Sequence, residues 1–350
     1  MYARTIIAIA LTSMLLLPLR TEAQLGGRST YQFLNLPLSA QSTALGGKAL
    51  TTDSPSLPTV LGNPSLLDSS MHNGIDASYI NYISNLNYGS VIYARHFARL
   101  GTMAFGLQQL GYGKFERINE QGGHEGSFRC HETCLSGMYS MRLDTAVNIG
   151  LTLKLVSSQL ESYWSGGIAI DLAAQYTSRD GSFTAAIALR NAGLMLKTYS
   201  GQHEQLPIEL LVGLSKRLQH APLRFVLTFQ QVQNLSMRYR GQEAATISLM
   251  SGEVQQEGLL RRVGGEVLSH VVLGLEVTPV PALCIRLGYN HQRRNELAVA
   301  AKTSMVGLSG GFGISIKKYT FGYSCAMYHL AGFSHHFSVG TNINRFMNKH

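Results

Sequence analysis

Nowhere does this sequence hold an apolar run long enough to cross a bilayer as a helix, which takes about 20 residues. Its longest, Ile6 to Leu17, is twelve residues, which excludes an ordinary helical membrane protein. Placed behind Arg4 and ahead of Thr21-Glu22-Ala23, that run has the order of a secretory signal cleaved near Gln24. No cysteine lies near the cut, so a lipid-modified N-terminus is not expected. Export without a helical span leaves the periplasm, the outer membrane or the exterior. Charge is also scarce: 14% of residues are charged while 45% are hydrophobic, and 36 glycines stand against 9 prolines. No Pro/Ser-rich tract, charge block or low-complexity run divides the chain, so one large architecture is favoured over two domains. The formal charge of +9 does not point to nucleic acid in an exported protein. Anionic lipid head groups and plain solubility charge both account for it.

What is present is a period of two, the mark of strands with unlike faces. From Val147 to Leu155 every odd residue is apolar and every even one is Gly or polar. Near the C-terminus Val306, Leu308, Phe312, Ile314 and Ile316 oppose Gly307, Ser309, Gly311, Gly313 and Ser315. A soluble sandwich would turn Lys, Glu and Thr to water on the second face, and here that face is too poor in charge. A membrane barrel turns the greasy face to lipid and the small or polar face inward, with aromatics near the two interfaces. Tyr79, Tyr82, Tyr88, Tyr93, Tyr139, Tyr163, Trp164, Tyr176 and Tyr319 stand near segment ends and suit such girdles.

Fourteen segments carry the pattern: 75–83, 88–97, 101–110, 134–143, 146–156, 166–177, 182–190, 208–218, 223–232, 267–278, 282–290, 306–317, 319–328 and 333–343. Most approach the 9–11 residues that a tilted strand needs to cross the hydrocarbon layer. Connections alternate, as outer-membrane barrels require: short at 98–99, 144–145, 179–181, 219–222, 279–281 and 317–318, long at 111–133, 191–207, 233–266 and 291–305. The expected organisation is a signal peptide (1–23), an N-terminal plug or hatch (24–72), a 14-stranded antiparallel transmembrane β-barrel of the all-β class (73–346) and a tail (347–350). The long loops are expected at the cell surface and both termini in the periplasm.

Chemistry is thin. Cys130-His131-Glu132-Thr133-Cys134 reads as a loop disulfide between Cys130 and Cys134, as free thiols, or as a weak metal site, since Cys-x3-Cys without a second ligand pair is a poor zinc signature. His335 and His336 are strand neighbours and face opposite ways. No Gly-x-Ser-x-Gly elbow stands at a strand-to-helix turn, and Gly310-Gly311-Phe312-Gly313 has no following helix to hold phosphate. Neither an enzyme nor a cofactor is expected. Arg129, Arg238, Arg240, Arg261, Arg262, Arg293 and Arg294 fall in expected surface connections, where they suit lipopolysaccharide phosphates, an acidic partner, or simple solvation.

Several motifs are specific: Gly27-Arg28-Ser29-Thr30-Tyr31-Gln32-Phe33-Leu34-Asn35-Leu36-Pro37, Ala44-Leu45-Gly46-Gly47, Asn63-Pro64, Asn191-Ala192-Gly193, Leu206-Pro207, His220-Ala221-Pro222-Leu223-Arg224-Phe225, Gly288 to Leu297, and Tyr328-His329-Leu330-Ala331-Gly332. Across nearly the whole mature chain they resemble the PorQ family of the type IX secretion system, itself similar to PorV and more distantly to FadL transporters. The resemblance implies an outer-membrane component of the attachment complex. In that role it anchors a PorZ partner beside PorU and PorV, so that cargo is joined to anionic lipopolysaccharide. The FadL kinship implies the alternative, transport of hydrophobic small molecules. It supplies no partner-contact residue. The chain departs from many barrels in continuing past Phe346 through Met347-Asn348-Lys349-His350.

Overall fold

The computed structural model describes residues 29–82, 86–119, 121–234, 246–247, 254–255, 259–297, 305–329 and 332–347. Among these, fourteen antiparallel strands close into one barrel. They are β1 (Gly74–Asn81), β2 (Asn87–Phe97), β3 (Gly101–Ile118), β4 (His124–Asp144), β5 (Val147–Leu160), β6 (Tyr163–Thr177), β7 (Phe183–Lys197), β8 (Glu209–Arg217), β9 (Leu223–Phe229), β10 (Val271–Val280), β11 (Leu283–Asn290), β12 (Leu308–Ile316), β13 (Tyr319–His329) and β14 (Gly332–Asn342). Closure is made by β1 against β14, in register from Gly74↔Asn342 to Asn81↔His335.

The two faces behave as the alternation demands. On β5, Leu153 and Leu155 are exposed on the outside while Thr152, Lys154 and Val156 are buried inside. Phe105, Leu107, Leu135, Phe225 and Phe337 likewise stand outward. Apolar groups left exposed on a closed barrel are unfavourable in water and favourable against acyl chains. All six tight connections lie at one end. In one of them Gly181 takes φ +67°, and Asp180 accepts from the Ser178 hydroxyl and the Ser182 N–H. Those hydrogen bonds, that of Ser178 first, hold the Asp180 carboxyl below its usual range.

Several connections are more ordered than expected. The loop expected over 111–133 is a continuation of β3 and β4, paired from Gly111↔His131 out to Ile118↔His124. With 18 and 21 residues, these strands exceed the 9–11 needed to cross lipid. Their upper halves therefore stand beyond the wall as a hairpin, and β5 and β6 rise beside them to Leu160↔Tyr163. The connection at 233–266 carries a short helix, α2 (Leu259–Ser269), and a two-residue pairing of Thr246–Ile247 with Val254–Gln255. Strand β10 consequently starts at Val271 and not at Val267. Residues His291–Leu297 form helix α3. Val306, expected on the outer face, is buried, because Gly307 at φ +85° turns the backbone before β12 begins. Of the expected girdle, Tyr79, Tyr163, Trp164, Tyr176 and Tyr319 are exposed, while Tyr88 is fully buried and Tyr82 packs inward against Tyr328 and His336.

Candidate functional site in the filled lumen

Residues 29–73 lie inside the barrel. Helix α1 (Ala40–Ala44) starts where the Ser39 hydroxyl accepts from the N–H groups of Gln41 and Ser42, satisfying two of the orphan donors of its first turn. It packs on β12 and β13, held where Ser309 Oγ accepts from the Gly46 N–H and donates to the Ala44 carbonyl, both at 3.1 Å. The wall leaves room for it with glycine: a Cβ on Gly288 would sit 2.5 Å from the Leu45 carbonyl carbon and 2.6 Å from the Ala44 oxygen. Further along, Pro64 and Ser65 press on Gly150 in the same way. The apolar side chains of this segment, among them Phe33, Leu34, Val60, Leu61 and Leu67, form one cluster with inward residues of the wall such as Ile92, Ala104 and Met138.

Charges cross between segment and wall. Glu209 at the start of β8, away from the tight turns, receives Lys48 at 2.8 Å and Arg190 at 3.5 Å, and burial pushes the Lys48 ammonium below its usual range despite that partner. Lys154 meets Asp171 at 2.6 Å with both groups almost wholly buried, and it also donates to Asn191 Oδ1. Asp53 is held by Arg224 at 3.0 Å and Arg217 at 3.4 Å. Glu276 accepts from Arg286 Nε at 2.9 Å, from Thr52 Oγ1 at 2.8 Å and from the Asp53 N–H at 3.1 Å. Three of these four sets tie residues 48–53 to the wall, so the segment is fastened by electrostatics as well as by packing.

One part of the wall is incomplete. Strand β7 pairs with β6 as far as Lys197, but its other edge pairs with β8 only up to Arg190↔Glu209. Beyond that point the segment itself stitches the seam. The Thr30 N–H reaches the Gln205 carbonyl at 3.1 Å, Asn191 Nδ2 donates to Asn35 Oδ1 at 2.8 Å, and Arg190 donates to the Leu34 carbonyl at 2.9 Å. Asn191, at φ +56°, is the bend where this happens. Ser29 thus stands beside Gln205, in a long connection, whereas β14 ends among the tight turns; the expected position of the mature N-terminus itself falls on residues outside those described. Within the lumen a space lined by Lys48 and Arg190 measures about 30 Å³, too small for more than about one water. A larger cavity of about 460 Å³ opens at the tight-turn end, between the segment and the inner faces of β1 and β10–β14.

The residues singled out from sequence scatter. Arg129 is exposed on the upper half of β4 opposite Lys114. Arg261 and Arg262 lie in α2, and Arg238 and Arg240 fall outside the described residues. Arg294 is half-buried on α3. Arg293 turns inward: its guanidinium lies 4.1 Å from the Tyr328 ring centre and donates to the Gly46 carbonyl. It is a fastening for the lumenal segment and not a surface contact. The disulfide is corrected as well. Cys130 and Cys134 are four residues apart on one strand, about 13 Å by strand rise, against the roughly 4.4–6.8 Å between Cα atoms that a disulfide spans; both are free thiols. Among the described residues no cluster of three or more His, Cys, Asp or Glu side chains is placed to hold a metal. Sequence reading missed the ion pairs of Lys48, Lys154, Arg224 and Arg286; the one available signal was a charged residue on the small, inward face of a strand.

No protein-family model and no curated protein matches the chain. Solved structures do. The toluene transporter TbuX of Ralstonia pickettii superposes with a TM-score of 0.51 at 11% identity, over 89% of this chain and 99% of its own. This is a FadL-like barrel. The toluene transporter TodX of Pseudomonas putida agrees, with a TM-score of 0.50 at 11% identity over 87% and 96%. Such identities establish the fold alone, and with it the likeness of the FadL-like barrel described here to outer-membrane proteins.

Proposed function

We propose that the protein is a non-catalytic anchor of the outer membrane that serves a type IX secretion attachment complex, holding a PorZ-type surface partner beside PorU and PorV. The motif resemblance supplies the identity of that system. The observation that carries an anchoring role is the hairpin of β3 and β4 with its neighbours β5 and β6: paired strands, not pliant loops, raise a sheet above the wall. Phe115 and Phe128 stack there at 5.5 Å, and Phe115, Ile118 and Arg129 are exposed for contact. A pre-ordered surface costs little entropy on binding. The packing of the lumenal segment around Lys48 and Arg190, which leaves about 30 Å³ there, suits a protein whose interior at that level is structural filling. The test is to shorten the hairpin by removing residues 112–130, rejoining Gly111 to its strand partner His131, and to quantify the surface partner on intact cells. Loss of the partner with the barrel still folded is expected; full retention would sink the reading.

A second reading, passage of hydrophobic small molecules, rests on the seam between β7 and β8 and on the toluene transporters, and the structural comparisons lean towards it. Buried Met195 and Leu206 flank the seam, with Leu194 and Leu196 exposed outside. Uptake of labelled toluene into cells would then fall on deletion of the gene; unchanged uptake counts against it.

A further inference from the structure

The cavity at the tight-turn end holds a carboxyl group that no cation among the described residues answers. Of the carboxylates that line it, Asp53 is paired with Arg224 and Arg217, and Glu276 with Arg286. Asp76, on β1, is 4% exposed. Among the described residues its one hydrogen bond is a long one, 3.4 Å, from the Ser78 hydroxyl, and no cation pairs with it. A buried carboxylate without a partner is costly. The two cations at the rim are otherwise engaged: Arg345 donates to the Lys317 carbonyl, and Lys318 lies 4.5 Å from the Phe346 ring centre.

The wall around Asp76 is shaped for a small donor. Gly340 stands in register between Asp76 on one side and Thr320 on the other. A Cβ at Gly340 would fall 2.5 Å from Asp76 Oδ2 and 2.6 Å from Thr320 Oγ1, so the glycine leaves open a space that both oxygens border. In the next row Ser338 pairs with Ser78 and with Gly322, and its hydroxyl borders the space over Gly322. One carboxylate oxygen and one hydroxyl oxygen border that gap, and a second hydroxyl stands in the next row. A primary ammonium, compact and with three N–H donors, suits acceptors set around so small an opening. Leu57 and Met71 of the lumenal segment line the same cavity and offer apolar cover to a carbon stem. The volume of about 460 Å³ lies within the usual range for small-ligand sites.

We propose that this cavity binds a primary ammonium group carried on a short apolar stem, with Asp76 as its counter-ion. The group belongs either to a free amine or to a lysine side chain of a partner on the tight-turn side of the membrane. The proposal is independent of whether the barrel anchors or transports.

The probe is pentylamine, titrated calorimetrically into the full mature protein in mild detergent. Pentanol and pentanoate serve as the neutral and anionic matches. Saturable binding of pentylamine alone is expected, weakened by about tenfold or more in Asp76→Asn, a loss of about 1.4 kcal/mol. Equal binding of pentanol, equal affinity in the variant, or no saturation would overturn the proposal. Should Asp76→Asn fail to give the compact, heat-modifiable form on gels, the wild-type protein decides through Cys284, which lines the same cavity. Pentylamine, and not pentanoate, should slow alkylation of Cys284 as mapped by peptide mass spectrometry; no difference between them would overturn the site. A blocked Gly-Lys-Gly peptide separates the sources: protection equal to that by pentylamine assigns a polypeptide side chain, and its absence assigns a free amine.

Discussion

Lys154 and Asp171 illustrate what a charged residue on the inner face commits the protein to. Each lies in a different strand, each is almost wholly buried, and they meet at 2.6 Å. Such a pair contributes little net stability over a well-packed apolar pair, because desolvation offsets the attraction, but losing one member leaves a charge without water or partner. Lys154→Met should therefore destabilise the folded barrel by about 3–5 kcal/mol, read as a lower urea midpoint for the compact gel form. Adding Asp171→Leu should restore most of that loss, and a double variant no better than the single one would refute the pairing argument. Neither partner was legible beforehand: sequence shows that Lys154 is on the inner face, but not that a residue 17 positions on is its neighbour. Arg293 is a similar case, since its place in an expected surface connection gave no hint that it turns inward onto Tyr328 and Gly46.

Helix α1 and the strands behind it show how an element is seated by absence. Gly288 is buried on β11, and nothing larger fits between that strand and the backbone of Ala44 and Leu45. Gly288→Val keeps a good strand former in place but must push α1 off the wall. The expected outcome is an intact barrel with increased entry of small sugars in a liposome-swelling assay; a variant as tight as wild type would show that the helix does not seal the lumen. Strands were readable wherever one face met lipid and the other did not, and each of the fourteen expected segments contains a strand, with bounds that differ at some ends. The reading ended early on β3 and β4 for a physical reason. Above the membrane both faces of the hairpin meet water, so His124-Glu125-Gly126-Ser127-Phe128-Arg129 has no apolar alternation to reveal that it is paired.

At the level of the molecule, a barrel of this strand number encloses more space than its own inward side chains fill, and residues 29–73 occupy it. Removing residues 29–72 should leave a wall able to close, because the β1–β14 seam begins at Gly74, with a polar lumen now open to water. Planar-bilayer recordings of the truncated protein should show steady conductance where the intact protein shows little. Equal conductance in the two would mean that the segment does not obstruct the lumen.

The sequence by itself determined the two-faced strands, their number and the tight turns at one end, because each depends on residues within a few positions of one another. It could not determine which charges meet, how the seam between β7 and β8 is closed, or that Asp76 faces a cavity with no cation among the described residues to answer it. Those depend on the register of closure, which brings Lys48 to Glu209 and Asp53 to Arg224 across more than 150 residues of intervening chain, a distance over which local periodicity carries no information.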